Sequence, residues 1–435
     1  MSDYMFALES HLDAAQNRTV TEIQRIATEA NVTVWLTGGA MRDMLRGAPI
    51  RDLDFTVERD AIKIGKALAA ALKGSVTEED PLKRGAELAL PGGLRASVSN
   101  ARTEKYAKAG GKPQIAPASI HEDLSRRDFT INAIALFLNR GAKGLLVDPT
   151  NGQADLLNRE LRATNSMAFF DDPSRVFRMV RFKHVMGFEI APRTQSQLEN
   201  AVLGDFLHPN PAALQADLQA LASHESAIAA MEDLDKLGLL GLIAPGLNAE
   251  KLNLAGLSRF EKHAHAIFPA GNDDGWLAFL TVLLEKLSPK DRAAALKALA
   301  LSPADLKTLQ KLDPAAKKLE SALKSPKIHK PSQVWEVLKD AHTAEVLMVA
   351  YRSEIRVVQD RLRAYFQKYL PTAQEVTEEQ VATASGQKPG TPKFAKAFEA
   401  AVVARLNARP RKVEPEPEPP PPPMTMGRGR PARAS

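Results

Sequence analysis

The chain has 435 residues, 44% apolar and 25% charged, with 58 Lys and Arg against 52 Asp and Glu. That length predicts several domains with ample sequence for a core. The absence of Cys excludes disulfides, Cys nucleophiles, iron–sulfur clusters and thiolate zinc sites. A net charge of +6 only mildly favours an anionic partner. No apolar run approaches the roughly 18 residues of a membrane span, and the first ten residues (MSDYMFALES) lack the basic and apolar regions of a secretory signal. Composition therefore predicts a soluble, cytoplasmic protein.

In chain order, residues 19–31 read as an amphipathic helix with Val20, Ile23, Ile26 and Ala27 on one face. Val32–Thr37 is a β-branched and aromatic run that stops at Gly38-Gly39, the pattern of a strand and a tight turn. Met41–Arg46 reads as a helix broken by Gly47-Ala48-Pro49, and Asp52–Glu58 alternates charged and apolar residues as a half-buried strand does. Ala61–Leu72 is helical. Ala86–Leu90 and Leu94–Ser99 form a hairpin through Pro91-Gly92-Gly93. The apolar spacing of Phe129, Ile131, Ile134 and Leu138 predicts a helix over Ser125–Asn139, and Leu145–Val147 a last short strand. Beyond about residue 155 strand signals nearly vanish and Pro-punctuated helical segments run to residue 409. The predicted fold class is α+β: a head with a small mixed sheet and helices, then an all-helical neck, body and tail. Residues 411–435, rich in Pro and Arg, are expected to be disordered. Within them Arg428, Arg430 and Arg433 could lie on a phosphate backbone, but a solubilising Arg-Gly tail is the plainer reading.

Two adjacent glycines between strand and helix let backbone N–H groups approach a phosphate at a positive helix end. Arg42, one turn on, could reach the same anion; alone, however, Gly38-Gly39 is most simply a packing turn. Ten residues later Asp52 and Asp54 stand at i and i+2, so their carboxylates share one face of a strand. Mg²⁺ takes one or two protein carboxylates together with substrate phosphates, so the pair suits nucleotide chemistry. The combination, a phosphate cradle facing a carboxylate pair, is far more specific than either part.

Leu36-Thr-Gly-Gly-Ala-Met-Arg-Asp…Arg51-Asp-Leu-Asp-Phe55 resembles the signature of the class II tRNA nucleotidyltransferase and bacterial poly(A) polymerase family. Four further blocks follow in the family's order: Arg126-Arg-Asp-Phe-Thr-Ile-Asn-Ala133, Asp148-Pro-Thr-Asn-Gly-Gln-Ala-Asp-Leu156, Asp171-Asp-Pro-Ser-Arg175 with Arg178 and Arg181, and Gly386-Gln-Lys-Pro-Gly-Thr-Pro392. The resemblance implies a nucleotidyltransferase head over 1–150, a nucleotide-selecting neck over 151–250, and an RNA-binding body and tail over 251–410. It implies that Gly38, Gly39 and Arg42 hold the triphosphate and that Asp52 and Asp54 are catalytic and ligate Mg²⁺. Arg127, Asp128 and Asn132, expected on one helix, would contact ribose and phosphate. Asp172 and Arg175 would read the base edge, with Arg178 and Arg181 near the phosphates. For the last two, salt bridging within the neck is the plainer alternative.

The implied activity is CCA addition to the tRNA acceptor arm from CTP and ATP, without a nucleic-acid template. Poly(A) addition, CC-only or A-only addition and a degenerate RNA-binding member share the same motifs. The lysines of residues 304–339 suit an RNA-binding body or a solvated helix face equally. One departure stands out. Family members carry a third carboxylate on the hairpin strand before an Ala-Arg-x-Glu-x-Tyr sequence, and Ser97 takes its place here, leaving Glu104 or a water as the substitute. None of the nine His precedes an Asp, so the appended phosphohydrolase domain of some relatives is not expected.

Overall fold

The computed structural model describes residues 3–203, 208, 210–268 and 275–408; the expected tail of 411–435 lies outside the described residues. The chain divides into two compact units, Met1–Lys324 with Ala341–Leu362, and Ser325–Asp340 with Arg363–Ser435. Among the described residues no helix is long and apolar enough to cross a membrane.

The first unit opens with helices α1 (Asp3–His11) and α2 (Ala14–Glu29). Asp13 starts α2 through a capping box: its carboxylate accepts from the Gln16 N–H at 2.8 Å, and the Gln16 side chain accepts from the Asp13 N–H. Asp13→Ala is expected to lower stability by about 1 kcal/mol, read as a shift in urea midpoint at constant slope. There follow β1 (Val34–Thr37), α3 (Gly38–Leu45), β2 (Leu53–Val57), α4 (Ala61–Ala71), β3 (Ser75–Asp80), β4 (Gly85–Ala89) and β5 (Arg95–Asn100). Next come β6 (Arg102–Lys105), β7 (Gln114–Pro117), α5 (Ile120–Ser125), β8 (Ala135–Phe137) and β9 (Leu146–Val147).

Seven strands make one mixed sheet in the order β3-β4-β5-β2-β1-β8-β9. Only β2 and β5 run parallel; the other pairs are antiparallel. One face is apolar: Leu53, Phe55, Leu88, Ala96 and Val98 are buried, and α4 packs so tightly that a Cβ on Gly65 would lie 3.1 Å from the Ala86 Cβ. Strand alternation turns Asp54, Thr56, Ser97 and Ser99 to the opposite face. The register aligns Thr37, Asp54, Ser97 and Glu87 in one row across β1, β2, β5 and β4.

The helix expected over Ser125–Asn139 is not there. The Ser119–Glu122 capping box starts α5 earlier, and Arg126 ends it. Phe129 is extended (φ −122°, ψ 150°), Thr130–Asn132 form a single 3₁₀ turn, and the chain enters β8. The apolar spacing misled because residues from Ile131 to Leu136 are buried on every side, and a fully buried run carries no period that separates strand from helix.

After β9 the first unit is mainly helical. It contains α6 (Gly152–Asn158), the short β10 (Glu160–Leu161), α7 (Ala168–Asp171), α8 (Arg175–Met186), β11 (Glu189–Ile190), α9 (Pro192–Leu203) and α10 (Pro211–Ala222). Phe129 packs edge-on to Phe182 of α8 at 6.0 Å between centroids, which fastens the segment between α5 and β8 to that helix. The second unit has its own apolar cluster, in which Ala373, Val402 and Leu406 pack with Trp335, Tyr369 and Phe398.

Candidate active site

Gly38 sits where β1 becomes α3 and has φ +67°, a conformation that L side chains rarely adopt. A Cβ there would stand 3.1 Å from Asp54 Oδ2 and 3.4 Å from Arg127 Nη1, so the position demands glycine twice over. The Thr37 side chain does not cap α3. It contacts Thr56 Oγ1 at 3.1 Å and accepts from Arg127 Nη2 at 3.2 Å. The positive end of α3 is thus left for another anion. Gly38→Ala is expected to cost about 1–2 kcal/mol in urea unfolding, from the left-handed backbone alone.

A polar cavity of about 500 Å³ opens beside this turn. Gly38, Gly39, Arg42, Asp54, Arg127, Asp128, Asn132, Asp172, Arg175, Arg178 and Arg181 all line it, as does Ser97. Asp52, expected beside them, is not among its lining, and neither is Glu104, the acid expected as a substitute ligand. Asp52 precedes β2, is 44% exposed, and accepts from Arg95 Nε at 3.2 Å and Nη2 at 3.3 Å. An exposed pair of this kind contributes little and exchanges readily for another cation. Asp54 Oδ1 accepts from Ser97 Oγ at 2.7 Å.

The carboxylate of Asp54 on β2, with Asp52 just before that strand and the positive end of α3 beside them, fits a hard divalent cation that takes its remaining ligands from substrate phosphates and water. Among the described residues no group of three or more His, Asp or Glu side chains is gathered to hold an ion unaided. Glu104, on β6, is not spare. It accepts from Arg102 Nε at 2.8 Å and Tyr106 Oη at 2.7 Å, and pairs with Arg126 at 3.1 Å. Burial pushes its carboxyl up, but Arg126, Tyr106 and Arg102 more than offset this and hold it low. Glu87 behaves differently. Burial raises its carboxyl, and the negative charges of Asp54, Glu78 and Asp52 raise it further.

Arg127 belongs to the turn after α5. It donates to Asp123 Oδ2 at 2.9 Å and to Thr56 Oγ1 at 3.0 Å, so the guanidinium is aimed at Gly38 by a buried acid. Asp123 is fully buried; burial would raise its carboxyl, yet Arg127 and Arg126 hold it below the usual range. Asp128 and Asn132 meet through the 3₁₀ turn rather than along a helix, with Asn132 Nδ2 donating to Asp128 Oδ1 at 3.0 Å. Asn132 Oδ1 accepts from Arg42 Nη1 at 2.9 Å, while the Arg42 fork also grips Asp43.

The α8 side of the cavity is built from alternating charges. Arg178 Nη1 donates to Asp128 Oδ2 at 2.9 Å. Arg181 Nε donates to Asp217 Oδ1 at 2.8 Å, and Arg178 lies 3.6 Å from the other Asp217 oxygen. Salt bridging thus holds both arginines while they line the cavity. Arg181 and Arg42 also stack on the Phe182 ring, at 4.5 and 5.1 Å from its centroid. Asp172 accepts from the Ser174 N–H at 3.0 Å and lies 3.9 Å from Arg175 Nε. Arg175 is itself buried and donates to the carbonyls of Ala168 and Arg126 at 3.3 and 3.1 Å, so its guanidinium is fixed from behind.

Asp217 escaped the sequence reading. Its signal was an acid among the buried Leu214, Leu218 and Leu221 of α10, where an unpaired carboxylate would be costly.

A mixed sheet whose Gly-Gly turn faces a strand-borne aspartate, with an arginine-lined cavity behind it, defines a nucleotidyltransferase head. Residues 34–162 match the family model described as Poly A polymerase head domain. The A-adding tRNA nucleotidyltransferase of Halalkalibacterium halodurans is 33% identical over 268 residues, which cover 58% of this chain and 61% of that protein. The CC-adding tRNA nucleotidyltransferase of Deinococcus radiodurans is 34% identical over 272 residues, 61% of this chain and 70% of the relative. A solved CCA-adding enzyme in an apo form shares the fold, with TM-score 0.59 and 22% identity over 95% of this chain and 96% of its own. The chain belongs to the tRNA nucleotidyltransferase family.

Proposed function

We propose that this chain is a cytoplasmic enzyme that adds C and A to the 3′ end of tRNA from CTP and ATP, without a nucleic-acid template. The observation that carries the reading is the single cavity where Gly38, Gly39 and Asp54 face Arg42, Arg127, Asp172, Arg175, Arg178 and Arg181. In the reaction the RNA 3′-hydroxyl attacks the α-phosphorus in line; the new P–O bond forms as the bond to pyrophosphate breaks, and the hydroxyl proton leaves to solvent. Gly38 and Gly39 N–H groups and Arg42 bind the triphosphate, and Arg127 and Arg178 balance its charge. Asp172 as acceptor and Arg175 as donor present a Watson–Crick-like edge to cytosine or adenine, which needs no template because both groups are fixed by the protein. Asp52 and Asp54 would hold Mg²⁺, which when bound neutralises the triphosphate and lowers the pKa of the attacking hydroxyl. The remaining residues act by positioning and charge stabilisation rather than by covalent chemistry.

The names of the A-adding and CC-adding relatives favour partial addition as the second reading. One experiment separates the possibilities. Purified protein with Mg²⁺ is given tRNA transcripts that end before, within and just short of CCA, each with CTP, ATP or both, and an unstructured RNA as control. Growth to CCA followed by a stop is expected. Arrest after CC, or addition of A alone to transcripts ending in CC, establishes a partial activity. Long A tails on any RNA make it a poly(A) polymerase, and no extension of any substrate refutes the enzymatic reading.

A further inference from the structure

The carboxylate row does not end at Ser97. In the register of the sheet Asp54 on β2 is paired with Ser97 on β5, and Ser97 with Glu87 on β4. Laterally paired residues project from the same face, and the bond from Ser97 Oγ to Asp54 fixes that face as the one toward the cavity. The residues flanking Glu87, Ala86 and Leu88, are buried on the opposite face, which leaves Glu87 on the face of Asp54. Glu87 is only partly covered: its side chain keeps an exposed surface, while the burial of the rest raises its carboxyl and the charge of Arg95 lowers it. Only the small hydroxymethyl of Ser97 separates it from Asp54.

We infer that Glu87 is the third carboxylate of the catalytic face, placed one strand outward from the usual position, and that it ligates a divalent cation together with Asp54 across Ser97. The inference rests on the nucleotidyl-transfer reading of the same cavity. Two strand spacings put the Cα atoms of Asp54 and Glu87 about 10 Å apart. A cation with bonds of about 2.1 Å on each side closes the gap between an aspartate and the longer glutamate side chain. The longer acid is what the outer position requires. It also explains why a neutral serine is tolerated at 97: it orients Asp54 by a hydrogen bond and leaves room for Glu87 to lean inward. With Asp52 and Asp54 alone, one divalent ion already neutralises the protein's two charges; Glu87 adds one negative charge toward a second, the rest coming from substrate phosphates.

The test measures Mn²⁺ binding to the full-length protein without nucleotide, by loss of the free-ion electron paramagnetic resonance signal, together with thermal unfolding of each variant. Glu87→Gln is expected to weaken Mn²⁺ binding about 10- to 100-fold with an unchanged unfolding temperature. Adding Ser97→Asp to Glu87→Gln is expected to restore most of the affinity, because the charge returns one strand nearer. If Glu87→Gln binds Mn²⁺ as the wild type does while Asp54→Asn does not, the inference falls and the nucleotidyl-transfer reading stands. If Asp54→Asn also binds unchanged, the metal-using reading of the cavity falls with it.

Discussion

Asp54→Asn is expected to reduce nucleotide addition by at least about 10³-fold, about 4 kcal/mol of lost transition-state stabilisation, while leaving the fold intact. Asp54 is the acid that Gly38 approaches to within Cβ contact distance, and it is the strand-borne carboxylate lining the cavity. The amide keeps the shape and can still accept from Ser97 Oγ, so packing on both sides of the strand is preserved. What disappears is the charge that faces the helix end and Arg127. Asp52→Asn is expected to lose less, because Asp52 stands outside the cavity lining and shares its carboxylate with the exposed Arg95. Single-turnover addition to a tRNA transcript ending in CC, at saturating ATP and with unfolding midpoints in parallel, checks both. Equal losses for the two variants would mean that Arg95 yields Asp52 entirely to the metal.

The Gly-Gly turn and the Asp-x-Asp strand were legible because they are local: a β-branched run, a glycine pair and an alternating strand signal themselves within about 20 residues. The same locality explains what was not. Strand β3 (Ser75–Asp80) and strand β6 (Arg102–Lys105) are edge segments rich in charge, so no apolar alternation marks them. Strand β8 is buried on both faces and looked helical. Consequently Arg127, Asp128 and Asn132 were assigned to the site by motif, yet a turn, not a helix, brings them together. Asp217 lies on a helix 36 residues beyond the arginine it holds, and only tertiary structure makes them neighbours. The relation of Glu87 to Asp54 was hidden for a related reason. It passes through the parallel pairing of β2 with β5, strands separated by α4 and a hairpin, and no local pattern in a chain specifies which distant strand becomes the neighbour.

These buried charges also set how the protein meets acid. Asp128→Ala is expected to destabilise the first unit by about 3–5 kcal/mol at pH 7, the cost of stranding a buried charge. Asp128 accepts from Arg178, Asn132 and its own neighbour's N–H on Phe129, and is 7% exposed. Burial alone would raise its carboxyl, but Arg178 and Arg175 prevail and hold it far below the ordinary value. A group whose folded pKa is depressed stabilises fully above its unfolded pKa, about 3.9 for Asp, and loses that contribution as pH falls toward the folded value. Asp123, depressed by Arg127 and Arg126, acts in the same window and sign. The stability gap between wild type and Asp128→Ala, read from urea midpoints, should therefore stay constant from pH 7 to about 5 and narrow below about 4. A gap that widened on acidification would mean that the Asp128 carboxyl is neutral in the folded protein and that Arg178 takes its counter-charge from Asp217 alone.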